Sequence, residues 1–311
     1  MRGAGGSRWE TGRVASSAPV QWRRVNMKPI RSWIAGALAC LGAMPMAWAQ
    51  PAAAGDTLAR LQAGQGVTLG VRSSAPPFAM VDAQGHPAGF SWELCQEVVR
   101  RLSTQIGRPI EMKIVPVTLA ESFDLLRSGG IDLQCGGTTH TAERARQVDF
   151  SVTFFVSGVA AAYRKTDQRM AADREFGRAG VLAGSTAERA MQVRQPRKSM
   201  YRIEAVTHVA NYSDGVRMLK AGEIDTLVAD AVLLPDDADI GVRRQFLTVE
   251  PYGLMMRKGD TAFVQAVDEA LKAVLTSPLA AQLAAKAGLR VNPLTREAWR
   301  KPGKQIAPPS L

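Results

Sequence analysis

Histidine and cysteine are scarce in this 311-residue chain, three of each. No Ser/His/Asp or Cys/His arrangement and no zinc-spaced cluster can be drawn from them, so triad hydrolysis and metal-assisted hydrolysis lack visible residues. No Walker motif occurs, which excludes a nucleotide-driven engine within the chain. Aromatics make up 6% of residues, and no basic block interleaves with them. The net charge of +11 is therefore a weak sign of nucleic-acid binding. The first 49 residues carry seven Lys/Arg against one acid, which leaves +5 for the remainder. Beyond one segment near the N-terminus, no apolar run approaches ~20 residues.

That segment reads as an address. Met27-Lys28-Pro29-Ile30-Arg31 is a positive n-region, and Trp33 to Met46 is apolar. Ala47-Trp48-Ala49 supplies a small-x-small cleavage pattern, so residues 27–49 are expected to be a signal peptide removed before Gln50. Met27 is the expected start, with residues 1–26 a patternless extension rich in Gly, Ser and Arg. Lipidation at Cys40 is disfavoured, because Ala37-Leu38-Ala39-Cys40 lacks the usual large residue three before the cysteine. The product is expected in the periplasm. Cys95 and Cys135 then remain, either as a disulfide suited to an oxidising compartment or as two buried thiols.

The mature chain alternates strand and helix patterns, which indicates a mainly parallel α/β sheet. Val67 to Val71 reads as a strand ending in Arg72 and the Pro76-Pro77 loop, and the Gln84 to Pro87 turn leaves His86 solvated. Leu94, Val98, Leu102 and Ile106 form one apolar face of a helix stopped by Gly107. Ligands in such sheets sit beyond the carboxyl ends of strands. There, the Ile131-Asp132-Leu133 strand feeds Cys135-Gly136-Gly137-Thr138-Thr139-His140-Thr141-Ala142-Glu143-Arg144. Glycines admit backbone N–H groups to a ligand, threonines donate, a helix N-terminus favours an anion, and Arg144 matches a carboxylate. The segment reads as a carboxylate cradle, or equally as a plain strand–turn–helix with Thr141 as N-cap.

A second set begins near Ala179, with Gly184-Ser185-Thr186 opening a helix. Leu125 to Asp132 matches Met218 to Asp225 at an offset of 93 residues, and the matching context predicts two similar lobes. The second copy ends at Ala229-Asp230. Arg144 in one lobe and Asp230 in the other would suit the two ends of a zwitterion. Asp230 could also serve as an N-cap before Ala231-Val232-Leu233. Arg296 to Leu311 decays into a Pro-rich tail that is expected to be mobile.

The order Arg72…Ala75-Pro76-Pro77-Phe78, Gly89-Phe90…Glu93-Leu94, Gly137…Thr139…Thr141…Glu143-Arg144, Phe150-Ser151, Gly184-Ser185-Thr186 and Ala229-Asp230 resembles the polar-amino-acid solute-binding proteins of ABC importers, bacterial extracellular solute-binding family 3. The resemblance covers nearly the whole mature chain and is nearest to the glutamate/aspartate-binding branch. It implies an α/β, two-lobed periplasmic-binding-protein-like (type II) fold, with two Rossmann-like lobes joined by two hinge crossings. Residues 56–157 plus 252–300 would form lobe 1, 158–251 lobe 2, and 301–311 a flexible tail. Crossings would fall near Val156–Val159 and Phe246–Gly253, with hinges near Ser157-Gly158 and Pro251-Tyr252-Gly253. It further implies that Arg144 and Thr139 take the α-carboxylate, Thr186 assists, Asp230 takes the α-ammonium, and Arg72 reaches a side-chain carboxylate. The chain departs from that branch at Gly137, Ser122 and Tyr212, which stand where serine, arginine and histidine are usual. No cofactor is implied. The implied partners are an amino acid, a membrane permease and its ATPase, with the receptor a monomer. The competing reading is an enzyme, since periplasmic cyclohexadienyl dehydratases resemble this family. Dehydration needs a carboxylic acid over the leaving hydroxyl; Glu188 and Glu204 are second-lobe acids that could be asked to serve, although both read more simply as solvated.

Overall fold

In a computed structural model, residues 56–197 and 200–308 are described. The expected extension, signal peptide and cleavage site fall outside them. A short helix α1 (Thr57–Gln62) leads into β1 (Val67–Arg72), then a small three-stranded sheet of β2 (Ser74–Ala75), β3 (Ala79–Val81) and β4 (Pro87–Ala88). Helix α2 (Phe90–Ile106) buries Leu94, Val98 and Leu102 along its expected face and ends at Gly107. Next come β5 (Met112–Val117), α3 (Leu119–Ser128), β6 (Leu133–Thr139), β7 (Val148–Phe150) and β8 (Phe155–Ser157). Thr118 and Glu121 cap α3 reciprocally, so its first-turn N–H groups are satisfied by side chains.

The chain then enters a second sheet through β9 (Val159–Arg164), β10 (Glu175–Leu182), α4 (Thr186–Arg194), β11 (Arg202–Val209), α5 (Tyr212–Ala221), β12 (Thr226–Asp230) and β13 (Ile240–Val242). It returns through β14 (Glu250–Arg257) and finishes with α6 (Thr261–Leu275), α7 (Pro278–Lys286) and α8 (Pro293–Arg300). The first sheet runs β5-β1-β6-β14-β7, with β8 also on β14. The second runs β11-β10-β12-β9-β13. In each, parallel strands are flanked by an antiparallel strand, the returning β14 on β6 and the entering β9 on β12.

Each sheet carries its own core. Helices α2 and α6 cover one face of the first sheet around Phe78, Phe90, Phe154 and Tyr252, while Leu126, Ile131 and Phe150 lie in a separate cluster. The second sheet has apolar clusters built around Phe176 and Met191 and around Leu219 and Ile224.

Two expectations change. Pro251 and Tyr252 already pair with Val156 and Phe155 of the first sheet, whereas Leu247 N–H still donates to Val159 of the second. The second crossing therefore lies at Thr248–Val249, within the expected Phe246–Gly253 stretch but upstream of the 251/252 lobe boundary, because β14 is paired from its first residue. The mobile tail also looks different. Residues 293–300 form α8, where Asn292 accepts from Thr295 N–H and Pro293 occupies the first turn. Beyond it, Gly303 O accepts from Thr153 N–H, and Ala307 N–H donates to His140 O at 2.8 Å. The tail up to residue 307 is bonded to the segments that follow β6 and precede β8.

Candidate functional site

The glycine pair does not turn the chain into a helix. Strand β6 runs straight through Gly136 and Gly137 to Thr139, and only a three-residue 3-10 turn, Arg144–Arg146, follows. The helix dipole expected at the cradle is therefore missing. The glycines instead make space for two side chains. A Cβ on Gly136 would stand 2.4 Å from Arg72 Cγ, and one on Gly137 would stand 2.8 Å from Tyr252 Cε2 and 3.2 Å from Phe78 Cδ2. Arg72, last residue of β1, is thereby laid against the end of β6 and is 5% exposed. Thr141 does serve as a local cap, its hydroxyl accepting from Arg144 N–H at 3.1 Å.

Arg144 reaches across the two sheets. Its Nη1 donates to Thr139 O at 3.0 Å and its Nη2 to Gly184 O at 2.9 Å. Gly184 lies two residues before Thr186, which opens α4, with Ser185 as N-cap. Nε and the second N–H of each terminal nitrogen remain for an anion. Burial pulls the Arg144 guanidinium below its ordinary pKa, opposed by the charges of Glu250 and Asp230. Arg72 is lowered in the same way by burial, opposed by Tyr212, Tyr252 and Asp230. Both groups stay cationic, because an arginine does not lose its proton in a protein.

Asp230 ends β12 and is 8% exposed. Its Oδ2 accepts from the Tyr252 hydroxyl, and its Oδ1 is buried with no partner among the described residues. Burial first, then the Glu250 charge, push its carboxyl up to about 7. The expected N-cap role is not taken: Asp230 precedes a 3-10 turn with no side-chain cap bond. Tyr212, first residue of α5, faces Arg72, Arg144 and Asp230, and burial raises its phenol to about 12.

Two residues of this cluster escaped the sequence reading. Glu250 is 1% exposed and accepts from Thr139 Oγ1 at 2.5 Å and from the Thr248 hydroxyl. Thr139 has one hydroxyl proton, and here it goes to Glu250. Tyr252 is fully buried. A signal existed, since a glutamate opening an apolar strand is costly to bury without a task. Other candidates lie apart. Ser122 Oγ is spent on Thr118 O within α3 at 2.7 Å. Glu188 is held by Gly184 N–H and by His208 at 2.6 Å, and Glu204 is exposed. Neither acid is bonded to the charged cluster. His86 is exposed and faces Asp82.

Cys95 of α2 and Cys135 of β6 are joined as a disulfide, with Cα atoms 6.2 Å apart. Among the described residues no group of three or more His, Cys, Asp or Glu could hold a metal, and no helix is long and apolar enough to cross a membrane.

Two α/β lobes, two crossings and a cleft between them that gathers Arg72, Arg144 and Asp230 define a type II periplasmic binding protein. The solved structures agree on that fold. A Streptococcus pneumoniae ABC uptake transporter substrate-binding protein with bound histidine superimposes with a TM-score of 0.67, at 23% identity over 77% of this chain and 99% of that one. An ancestral amino-acid-binding protein, described as a precursor of cyclohexadienyl dehydratase, gives 0.64 at 23% identity over 74% of this chain and 98% of that one. The family follows from sequence. Residues 67–289 match the model of the bacterial extracellular solute-binding proteins, family 3, and the chain belongs to that family. It is 31% identical over 227 residues to an L-glutamate/L-aspartate-binding protein of Pseudomonas aeruginosa, covering 69% of this chain and 74% of the relative. It is 29% identical over 237 residues to a glutamate/aspartate import solute-binding protein of Escherichia coli, covering 72% and 77%. The family and these named relatives are solute-binding proteins of transport, not enzymes.

Proposed function

We propose that this chain is the periplasmic receptor of an amino-acid ABC importer and that it captures an acidic amino acid between its lobes. The observation that carries the reading is the split of charge across the cleft. Arg144 and Arg72 belong to the first lobe, and Asp230, with its bare Oδ1, belongs to the second. An α-carboxylate on Arg144, an α-ammonium on Asp230 Oδ1 and a side-chain carboxylate on Arg72 would use each free group once. Gly137, Thr139, Thr186 and Tyr212 line the same cleft in this reading, with Thr186 and Tyr212 on the second lobe. The names of the relatives from Pseudomonas aeruginosa and Escherichia coli support the acidic side chain. The absence of an arginine at Ser122 leaves Arg72 as the single side-chain anchor.

The receptor would act as an exported monomer starting at Gln50 and would hand its ligand to a membrane permease powered by a separate ATPase. Calorimetry of the purified chain against the twenty amino acids tests the core of this. Glutamate or aspartate should bind best. Arg144→Ala should cost at least ~2 kcal/mol, more than tenfold in affinity, by removing a charge-assisted contact. If no amino acid binds, or Arg144→Ala binds as the wild type does, the reading is wrong.

A further inference from the structure

Strand β14 alternates, so Glu250 and Tyr252 point to one face, and that face meets the charged cleft. Tyr252 cannot turn away from it. Its ring is fully buried, with Phe78 edge-on at 5.1 Å and Phe155 at 5.9 Å. The missing Cβ of Gly137 is what allows the ring that close. A buried tyrosine hydroxyl needs a partner. The partner it finds is Asp230 Oδ2, on the other lobe. One carboxylate oxygen is thus occupied by the first lobe, and the other is buried with no partner among the described residues.

We infer that Tyr252 is a positioning residue for the ammonium pole: it completes and orients the Asp230 acceptor across the lobes, so that Oδ1 faces the ligand only when they have closed. The inference rests on the amino-acid reading above. The groups facing Asp230 are Tyr252 and Glu250 from β14, Arg72 from β1, Arg144 from the 3-10 turn and Tyr212 from α5. Tyr252 is the one that donates a hydrogen bond to the carboxylate, and that bond favours the ionised form an ammonium requires. Removing the hydroxyl should therefore act on binding of the ligand's ammonium and on the titration of Asp230 more than on binding of the ligand's carboxylates.

Tyr252→Phe keeps the ring and its packing. Calorimetry on the full mature chain would compare wild type, Tyr252→Phe and Asp230→Asn with glutamate and with glutarate, which lacks the ammonium, from pH 6 to 8. Melting temperatures would confirm that the variants fold. Tyr252→Phe should weaken glutamate about tenfold. It should also move the midpoint of the affinity–pH curve upward, and weaken glutarate less than glutamate, since glutarate loses only the lobe-closing contact; an equal loss for both ligands overturns the positioning role. If glutarate is too weak to measure in every protein, the midpoint decides. Wild-type glutamate affinity and midpoint in Tyr252→Phe, with Asp230→Asn impaired, overturns the positioning role alone. Wild-type affinity in Asp230→Asn overturns the zwitterion reading beneath it.

Discussion

Asp230 carries the most consequential charge of the cleft, and its behaviour with pH follows from its surroundings. Its folded pKa of about 7 lies above the ordinary carboxyl value of 3.8. Between these values the folded chain binds a proton that the unfolded chain has lost. This group therefore contributes a loss of stability to the unliganded closed form as pH rises from about 4 to about 7, and no further change above. Ligand binding runs the other way. An ammonium beside Oδ1 favours the carboxylate, so binding to the closed form below pH 7 expels a proton, and affinity for that form should fall by up to about tenfold per unit as pH drops. Titrations in two buffers of different ionisation enthalpy would show proton release below pH 7 that vanishes in Asp230→Asn. Equal heats in both buffers at pH 6 would refute it.

At the scale of elements, the two lobes solve one problem twice. Asp132 N–H donates to Thr68 O at 2.8 Å, and Thr68 N–H returns to Asp132 Oδ2 at 2.9 Å. Asp225 and Arg178 repeat this at 2.8 and 2.9 Å. The preceding isoleucines match as well: Ile131 lies over Gly70 and Ile224 over Gly180, each where a Cβ would stand within 2.5 Å. Gly129 and Gly222 end the helices before them with φ of 79° and 75°. The eight-residue echo in the sequence is thus a strand-to-strand strap used in both halves. The Cys95–Cys135 bond has no counterpart among the described residues of the second lobe. It ties α2 to β6 one residue before Gly136, closing a separation of 40 residues. Chain-entropy reasoning gives such a loop about 4 kcal/mol. Chemical denaturation with and without reductant should show a loss of that order, and a midpoint unmoved in fully reduced protein would count against the bond.

For the whole molecule, the bonds Arg144–Gly184 and Tyr252–Asp230 join the lobes, so the structure is a closed form. The lobes are connected at Gly158 and at Thr248–Val249, where sheet membership changes. Opening would break the two cleft contacts while leaving both cores intact. A ligand shifts that equilibrium only through its preference for the closed state. Solution scattering should show a smaller radius of gyration with bound glutamate than without. Superimposable profiles under tight binding, with an unliganded profile wider than the closed structure, would remove the two-lobe trap.

Local sequence determined the alternation of strand and helix, the glycine stops, the internal repeat and the opposed charges Arg144 and Asp230, because each depends on near neighbours or periodicity. It misplaced what depends on distant segments. The glycine pair was legible as close backbone approach to a ligand, yet the approach is that of Arg72, from β1, and Tyr252, from β14. Glu250 and Tyr252 joined the site because β14 pairs with β6 from more than a hundred residues away. Residues 301–307 look disordered by composition, and their partners at His140 and Thr153, next to β6 and β8, are brought beside them only by folding. Burial, and with it the titration of Asp230, is likewise a property of two lobes brought together, which no single stretch of chain encodes.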